Sequence, residues 1–530
     1  MIGTIIFILY SAYITPELEY QLAHAGDKEM LTVICALKTE YPYEAIENLP
    51  VKDKIRILKE TAAKSQKRLI EYLSSCSEDV KELKPFWIFN GLHITATKRL
   101  ISKLREWDEI KYLLHDGVII LPGSVINEDF RTPEWNIRRV KADSCWLAGY
   151  TGSDVLLGLL DSGCNFTHPA LAGKWSGYWK DCVNGQTQPY DDNGHGIFMA
   201  GIICGGDGPG PFTNDIGVAP GAKLVVAKVF NAQGVGQYTW IDDGMQWMAD
   251  LKVDSGVDIR AVSNSWTSGN IYDLHFWNMC RTWKSIGILG IWNIGSTGPG
   301  SGTSLAPGNY PLVLGCGAVD SIDYIASFSS RGPAPDTPPW NDTTFWYRRD
   351  WNLTKPEIVA PGVNIRSCTG SSGYQTMSGT SLSNPHVAGG VAILCQANPN
   401  LTVTELYNLF LDNADSIYYG GYPNNTYGWG RLNLWRTLRA VTGKKENEPE
   451  GLKMHISITP NPSPGFIKLS PGGDLLSAVL YDIAGKKVCA LKIEKNADII
   501  PLPATIKNGI YFLEVKSKTT RLVHKIILIR

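Results

Sequence analysis

The sequence predicts an α/β protein: a parallel sheet with helices on both faces, a smaller α+β module before it and a small β-sandwich after it. Three observations carry this expectation. Between about 150 and 440, short apolar and β-branched runs alternate with longer segments of helical periodicity, as a parallel sheet buried on both faces requires. Before residue 126 the element order is strand, helix, strand pair, helix, strand. After residue 453 only short strands separated by turn signals remain. At 530 residues the chain is also too long for one ordinary domain.

The elements follow in order. Ile2 to Ile14 is an apolar run without charge, long enough for a signal-peptide core and too short for a bilayer span. No basic residue leads it and no Ala-x-Ala site follows, so residues 1–16 are assigned to a truncated signal peptide, with a buried N-terminal strand as the alternative. In the module at 17–126, Met30 to Leu37 reads as a strand, and Lys52 to Leu73 carries Ile55, Leu58, Ala62, Leu69 and Leu73 at helical spacing. Phe86 to Thr97 reads as a strand pair broken near Gly91, Lys98 to Trp107 as a second helix, and Ile110 to Leu121 as the closing strand. This is the ferredoxin-like split βαβ order.

In the central module, 127–440, strands are expected at Val155–Leu160, Leu224–Phe230, Ala261–Ser265, Gly287–Ile291 and Leu312–Val319. Helices are expected at His195–Cys204, Tyr238–Lys252, Ser381–Asn398 and Val403–Asp412. Residues 441–452 are a charged linker containing Gly and Pro. From 453 to 530, Ile456–Thr459, Val479–Asp482 and Ile510–Val515 alternate with turns such as Asn508-Gly509.

Composition excludes several classes. A net charge of −1 with no basic stripe argues against nucleic acid as a partner. Eleven cysteines without CxxC pairs indicate neither a zinc site nor a dense disulfide framework, and their odd number leaves at least one unpaired. No later segment is apolar enough to span a membrane.

The chemistry lies in three separated clusters: Asp161-Ser162-Gly163, Asn193-Gly194-His195-Gly196, and Gly379-Thr380-Ser381-Leu382-Ser383-Asn384-Pro385-His386. A serine hydroxyl becomes a useful nucleophile when an imidazole takes its proton and a carboxylate holds that imidazole's tautomer. Singly, Ser381 reads as a helix cap, His195 as a loop histidine and Asp161 as a strand-end carboxylate. Jointly, those readings require three coincidences. The chain order Asp, His, Ser also differs from the Ser, acid, His order of α/β-hydrolases, whose Gly-x-Ser-x-Gly turn is missing here.

At these clusters, and over residues 133 to 440, the chain resembles the subtilisin-like serine proteases. The resemblance extends to Gly217-Val218-Ala219-Pro220-Gly221, Ser327-Phe328-Ser329-Ser330-Arg331-Gly332-Pro333, Lys355-Pro356-Glu357-Ile358-Val359-Ala360-Pro361-Gly362 and Gly428-Trp429-Gly430-Arg431. Ser263-Asn264-Ser265-Trp266 and Pro307-Gly308-Asn309-Tyr310-Pro311 point to the bacillopeptidase F-like branch. The resemblance implies an endopeptidase with Asp161, His195 and Ser381 as triad, made as a zymogen whose 17–126 module is an inhibitory propeptide with a cleft-lying tail over Asp116 to Arg131. Residues 453–530 resemble the C-terminal sorting domain of type IX secretion cargo through Pro460-Asn461-Pro462, Asp482 to Gly485 and Gly509-Ile510-Tyr511-Phe512. That implies a secreted or cell-surface location and the secretion machinery as a partner, beside peptide or protein substrates.

One position departs from the family. Family members usually carry Gly-Asn-Ser-Gly-Pro, whose Asn donates to the oxyanion, and a gap-free match places Ser296 there; Asn293 is the donor if the loop is re-registered. This raises the alternative of a weakened or inactive peptide-binding protein. Substrate is expected along Ser265, Trp266 and Thr267 on one side and Asn293, Ile294 and Gly295 on the other. No cofactor is required and no metal ligands are assigned. Structural calcium is common in the family, yet no Asp-rich calcium loop assigns one here.

Overall fold

The computed structural model describes residues 12–121, 133–210, 212–348, 353–417 and 421–443, and the strands and turns of 458–528 apart from their connecting stretches. Two units divide the chain, Met1–Gly443 and Lys444–Arg530.

Thr15 accepts a hydrogen bond from the Leu18 N–H and Pro16 takes the first helical position, so strand β1 (Tyr13–Ile14) turns directly into helix α1 (Pro16–His24). Then come β2 (Met30–Leu37), α2 (Tyr43–Ile46), α3 (Val51–Ser75), β3 (Val80–Phe86), β4 (Gly91–Thr97), α4 (Lys98–Leu104) and β5 (Ile110–His115). The sheet order is β1-β5-β2-β4-β3. Pairs among β2 to β5 are antiparallel, which is the split βαβ arrangement, while β1 joins β5 in parallel. Ala12 and Ile14 are buried in this module, so residues 12–16 of the segment assigned to a signal peptide are part of its fold; residues 1–11 lie outside the described residues.

The first strand of the hairpin starts at Val80, six residues before the expected start. Lys81, Glu82, Lys84 and Pro85 mask its alternation, and they are residues that an edge strand carries. After β5 the chain forms a short strand, β6 (Val118–Ile120).

The central module begins with α5 (Trp135–Arg139) and α6 (Ala142–Leu147). It continues through β7 (Leu156–Asp161), β8 (Trp175–Asp181), α7 (His195–Cys204), β9 (Lys223–Lys228), β10 (Val235–Gln237) and α8 (Tyr238–Asp254). Next are β11 (Ile259–Asn264), α9 (Trp277–Ser285), β12 (Leu289–Asn293), β13 (Leu314–Val319) and β14 (Ile358–Pro361). The hairpin β15 (Ile365–Thr369) and β16 (Gly373–Met377) leads to α10 (Asn384–Ala397), α11 (Val403–Asp412) and α12 (Leu434–Thr442). Seven strands form one sheet in the order β14-β13-β12-β11-β7-β9-β8, and every neighbouring pair is parallel.

Alternation along β7 shows how this sheet is covered. Leu157 and Leu159 enter a core with α7 and α10, whereas Leu160 enters the opposite core with α8 and α9. The second core also holds Ile34, Phe86, Ile88, Phe89, Ile119 and Leu121, so the N-terminal module packs its sheet onto α8 and α9.

Strands β8 and β14 and the β15–β16 hairpin have no counterpart among the expected elements. β14 has only four residues and ends in Pro361, too short a run for a periodic signal. Just before it, Lys355 and Glu357 form a fully buried ion pair. Lys355 Nζ also donates to the Tyr310 carbonyl at 2.7 Å, and Glu357 Oε2 accepts from Gly315 N at 2.8 Å. All eleven cysteines are unpaired, and eight of them are buried.

In the second unit, β17 (Ile458–Thr459), β18 (Phe466–Leu469) and β21 (Ile499–Pro501) form one antiparallel sheet. A second comprises β19 (Leu475–Tyr481), β20 (Lys487–Leu491), β22 (Gly509–Ser517) and β23 (Arg521–Leu528) in the order β20-β19-β22-β23. Ala478, Leu480, Leu491 and Leu513 are buried. Pro460-Asn461-Pro462 lies outside the described residues.

Candidate active site

Asp161 is the last residue of β7, at the C-terminal end of an inner strand, where open parallel sheets place their ligands. His195 is the first residue of α7. The two elements meet backbone to backbone: a Cβ on Gly196 would stand 2.0 Å from the Gly163 carbonyl oxygen, so the approach requires glycine there. Asp191 shapes the connecting loop. Its Oδ1 accepts from Ser162 Oγ at 2.9 Å and Gly194 N at 2.9 Å, and its Oδ2 accepts from Ile197 N at 2.8 Å in the first turn of α7.

The outcome is a 2.8 Å hydrogen bond from His195 Nδ1 to Asp161 Oδ1, both residues buried. Nδ1 therefore carries the proton, and Nε2 is left buried and unpartnered. Burial disfavours the imidazolium, but attraction and hydrogen bonding to Asp161, with Asp191 behind, outweigh it and hold the His195 pKa above its ordinary value.

Ser381 sits in a single 3₁₀ turn, Thr380–Leu382, which packs against α7, β12 and β13. The expected helix start at Ser381 moves to Asn384, and Pro385 falls in the first turn of the helix, where its missing N–H forfeits no intrahelical bond. The Ser381 N–H lies in the first turn, where no intrahelical acceptor exists. Ser265 Oγ donates to the Ser381 carbonyl at 2.9 Å and lies 3.2 Å from Asn384 Oδ1.

The expected oxyanion residues both converge on Thr380. Ser296 is exposed, with its Oγ 2.7 Å from Thr380 Oγ1, while Asn293 is buried and donates from Nδ2 to the same hydroxyl at 3.2 Å.

Several residues expected to line the cleft do other work. Ser265 is fully buried and ties β11 to the Ser381 turn. The Trp266 indole is buried against Phe230, Phe276 and Trp292, so its bulk belongs to the core. Ile294 is buried with its backbone already committed: its N–H donates to Cys316 O and its carbonyl accepts from Leu305 N, both at 3.0 Å. The Gly295 carbonyl accepts from Ser330 N at 3.0 Å, and Thr267 is half-buried.

An edge that the sequence reasoning missed is already paired. β10 runs antiparallel to β6, with Gly236 opposite Ile119 and Val235 opposite Ile120. Leu121 N donates to Gly234 O at 2.8 Å, and Asn193, two residues before His195, closes on the same loop through a 3.2 Å bond to Ala232 O. Ile119 and Leu121 point inward while Val118 and Ile120 are exposed. The alternate glycines of Gly234-Val235-Gly236-Gln237, ahead of a helix, were the available signal.

Among the described residues no group of three or more His, Cys, Asp or Glu is placed to hold a metal ion. Among them, too, no helix is long and apolar enough to cross a membrane.

Residues 152–430 match the subtilase family, and residues 457–529 match the secretion system C-terminal sorting domain. Bacillopeptidase F of Bacillus subtilis (strain 168) is 30% identical over 456 residues, 78% of this chain and 30% of that protein, so the chain spans under a third of its length. Serine protease AprX of the same strain is 33% identical over 312 residues, 53% of this chain and 66% of the relative. Subtilisin DY of Bacillus licheniformis is 30% identical over 294 residues, 55% of this chain and 96% of the relative.

Proposed function

The chain belongs to the subtilase family of serine proteases and carries a secretion sorting domain, and we propose that it is an exported endopeptidase made as a zymogen. The observation that carries the reading is the Asp161–His195 pair, which leaves Nε2 as an unpartnered base beside the Ser381 turn.

In the proposed reaction, Ser381 Oγ attacks the scissile carbonyl while its proton passes to His195 Nε2. Asp161 holds the imidazolium. The oxyanion takes hydrogen bonds from the Ser381 N–H and from Ser296. Asn293 donates to Thr380 Oγ1, and the Ser296 Oγ accepts from the Thr380 N–H at 3.4 Å; in this reading Thr380 Oγ1 also donates to Ser296, whose proton then turns to the cleft. The C–N bond then breaks as His195 returns the proton to the leaving amine. Water repeats the sequence on the acyl-enzyme, and the Ser381 hydroxyl is restored. These steps call on protein side chains, the Ser381 backbone N–H and water.

In this reading residues 17–126 are the intramolecular inhibitor, supported by the pairing of β6 with β10, and 127–440 are the catalytic module. Residues 441–452 are a linker and 453–530 the export domain, which places the protein outside the cell or on its surface. The alternative of peptide binding without turnover finds no support, and the relatives above bear protease names.

Ser381→Ala tests the reading. The precursor should stay uncut, and a serine-directed phosphonate should label Ser381 in the parent protein but not in His195→Ala. Normal maturation of Ser381→Ala in a host without other proteases would overturn it. Deletion of 453–530 should spare peptidase activity and abolish export; unchanged export would remove the sorting role.

A further inference from the structure

Both carbonyls at the proposed nucleophile are held by buried side chains. Ser265 holds that of Ser381, and His386 Nδ1 reaches the next one, Leu382 O, at 2.8 Å from four residues further along. The other ring nitrogen, Nε2, lies 2.9 Å from Asn136 Nδ2 on α5. Both side chains are fully buried. A carbonyl only accepts, so Nδ1 carries the proton; Nε2 is then a lone pair, and Asn136 must present its amide N–H to it. Burial pushes the His386 pKa down to about 4, which keeps one neutral tautomer across the range in which His195 can act as base.

We propose that Asn136 and His386 are positioning residues, a tautomer-locked brace that runs from α5 to the Leu382 carbonyl and fixes the turn bearing Ser381. The proposal rests on Ser381 being the nucleophile. It also gives α5 a task, because α5 is the first helix after the stretch proposed to separate inhibitor from catalytic module. Seating α5 and aligning the nucleophile become one event. A nucleophile displaced by about 1 Å loses roughly 10²-fold in rate with no need for weaker substrate binding.

Three variants separate this from simple core packing. His386→Asn keeps a donor near the Nδ1 position, His386→Gln keeps a polar group near Nε2 only, and Asn136→Leu frees the tautomer. Each is compared by kcat and KM on one peptide substrate, per mole of enzyme labelled at Ser381 by the phosphonate, together with its melting temperature. His386→Asn should retain at least about a third of kcat, while His386→Gln and Asn136→Leu should lose roughly 10-fold to 10²-fold in kcat with KM unchanged. Equal losses in the Asn and Gln variants that track melting temperature would overturn the brace, as would an unchanged kcat in His386→Gln. Absence of labelling in the unsubstituted protein is a different failure: it removes the nucleophile assignment and the brace with it.

Discussion

Ile119 stands directly opposite Gly236 in the β6–β10 pair, buried, at a point where a Cβ on Gly236 would come within 2.6 Å of the Phe230 ring. The absent side chain lets Phe230 pack on the β10 backbone, and Ile119 of the N-terminal module joins Phe230 in the same core. Ile119→Asp should therefore weaken inhibition. Desolvating a carboxylate in place of a buried isoleucine costs several kcal/mol, enough for a roughly 10²-fold or larger rise in inhibition constant. The N-terminal module, added in trans to the matured enzyme, gives that constant directly; an unchanged value would show that β6 contributes nothing to inhibition.

Ser296→Asn should raise kcat by up to roughly 10²-fold with little change in KM, since the gain exists only in the transition state. Asn293→Ala should cost only a few-fold, because its amide acts through Thr380. Steady-state kinetics on a single peptide decide between the two. An inert Ser296→Asn beside a crippled Asn293→Ala would make Asn293 the oxyanion donor.

The acid limb of kcat/KM should report His195. Its pKa is held above 6.5, and only the neutral imidazole accepts the serine proton, so activity should be low in acid and rise as pH passes that value. Asp161→Asn should lose roughly 10⁴-fold in kcat by losing the tautomer. Asp191→Asn should shift the limb to lower pH, because its charge helps to raise that pKa. A limb that stays in place in Asp191→Asn would contradict the electrostatic account.

Lys355→Met should destabilise the central module by about 3–5 kcal/mol, because Glu357 would remain buried without its cation. Burial already pushes Glu357 up to about 7, against the pull of Lys355 and its hydrogen-bond donors. A carboxyl whose folded pKa is raised contributes stability that is complete below its unfolded pKa and is lost as pH rises through the folded value. The deficit should accordingly be smaller at pH 6 than at pH 8. Urea unfolding of the variant in a Ser381→Ala background, which prevents self-digestion, measures both.

The places of Asp161 and His195 were legible because both mark element boundaries that sequence pattern announces: an apolar strand ending at Asp161, and a helix from His195 to Cys204 whose limits match the pattern. The helix Val403–Asp412 was equally plain, since Thr402 and Glu405 form a capping box. What stayed hidden depends on contacts distant in the chain. Ser265 looks like a cleft residue until α10 is folded across β11 and the Ser381 carbonyl arrives at its hydroxyl. β10 is three residues long, and its partner comes from another module more than a hundred residues earlier. Two residues suffice for β1 because β5 is already there to receive them.

The unpaired cysteines bear on how the chain meets oxidants before and after it folds. Cys164, Cys204 and Cys368 lie in the same core as α7, and burial raises the pKa of each, so the folded protein offers almost no thiolate there. An unfolded chain offers all eleven thiols to any oxidant at once. Folding is then a race against sulfur chemistry. Once the core closes, the eight buried sulfurs become small inert hydrophobes, while Cys76, Cys182 and Cys489 stay partly accessible.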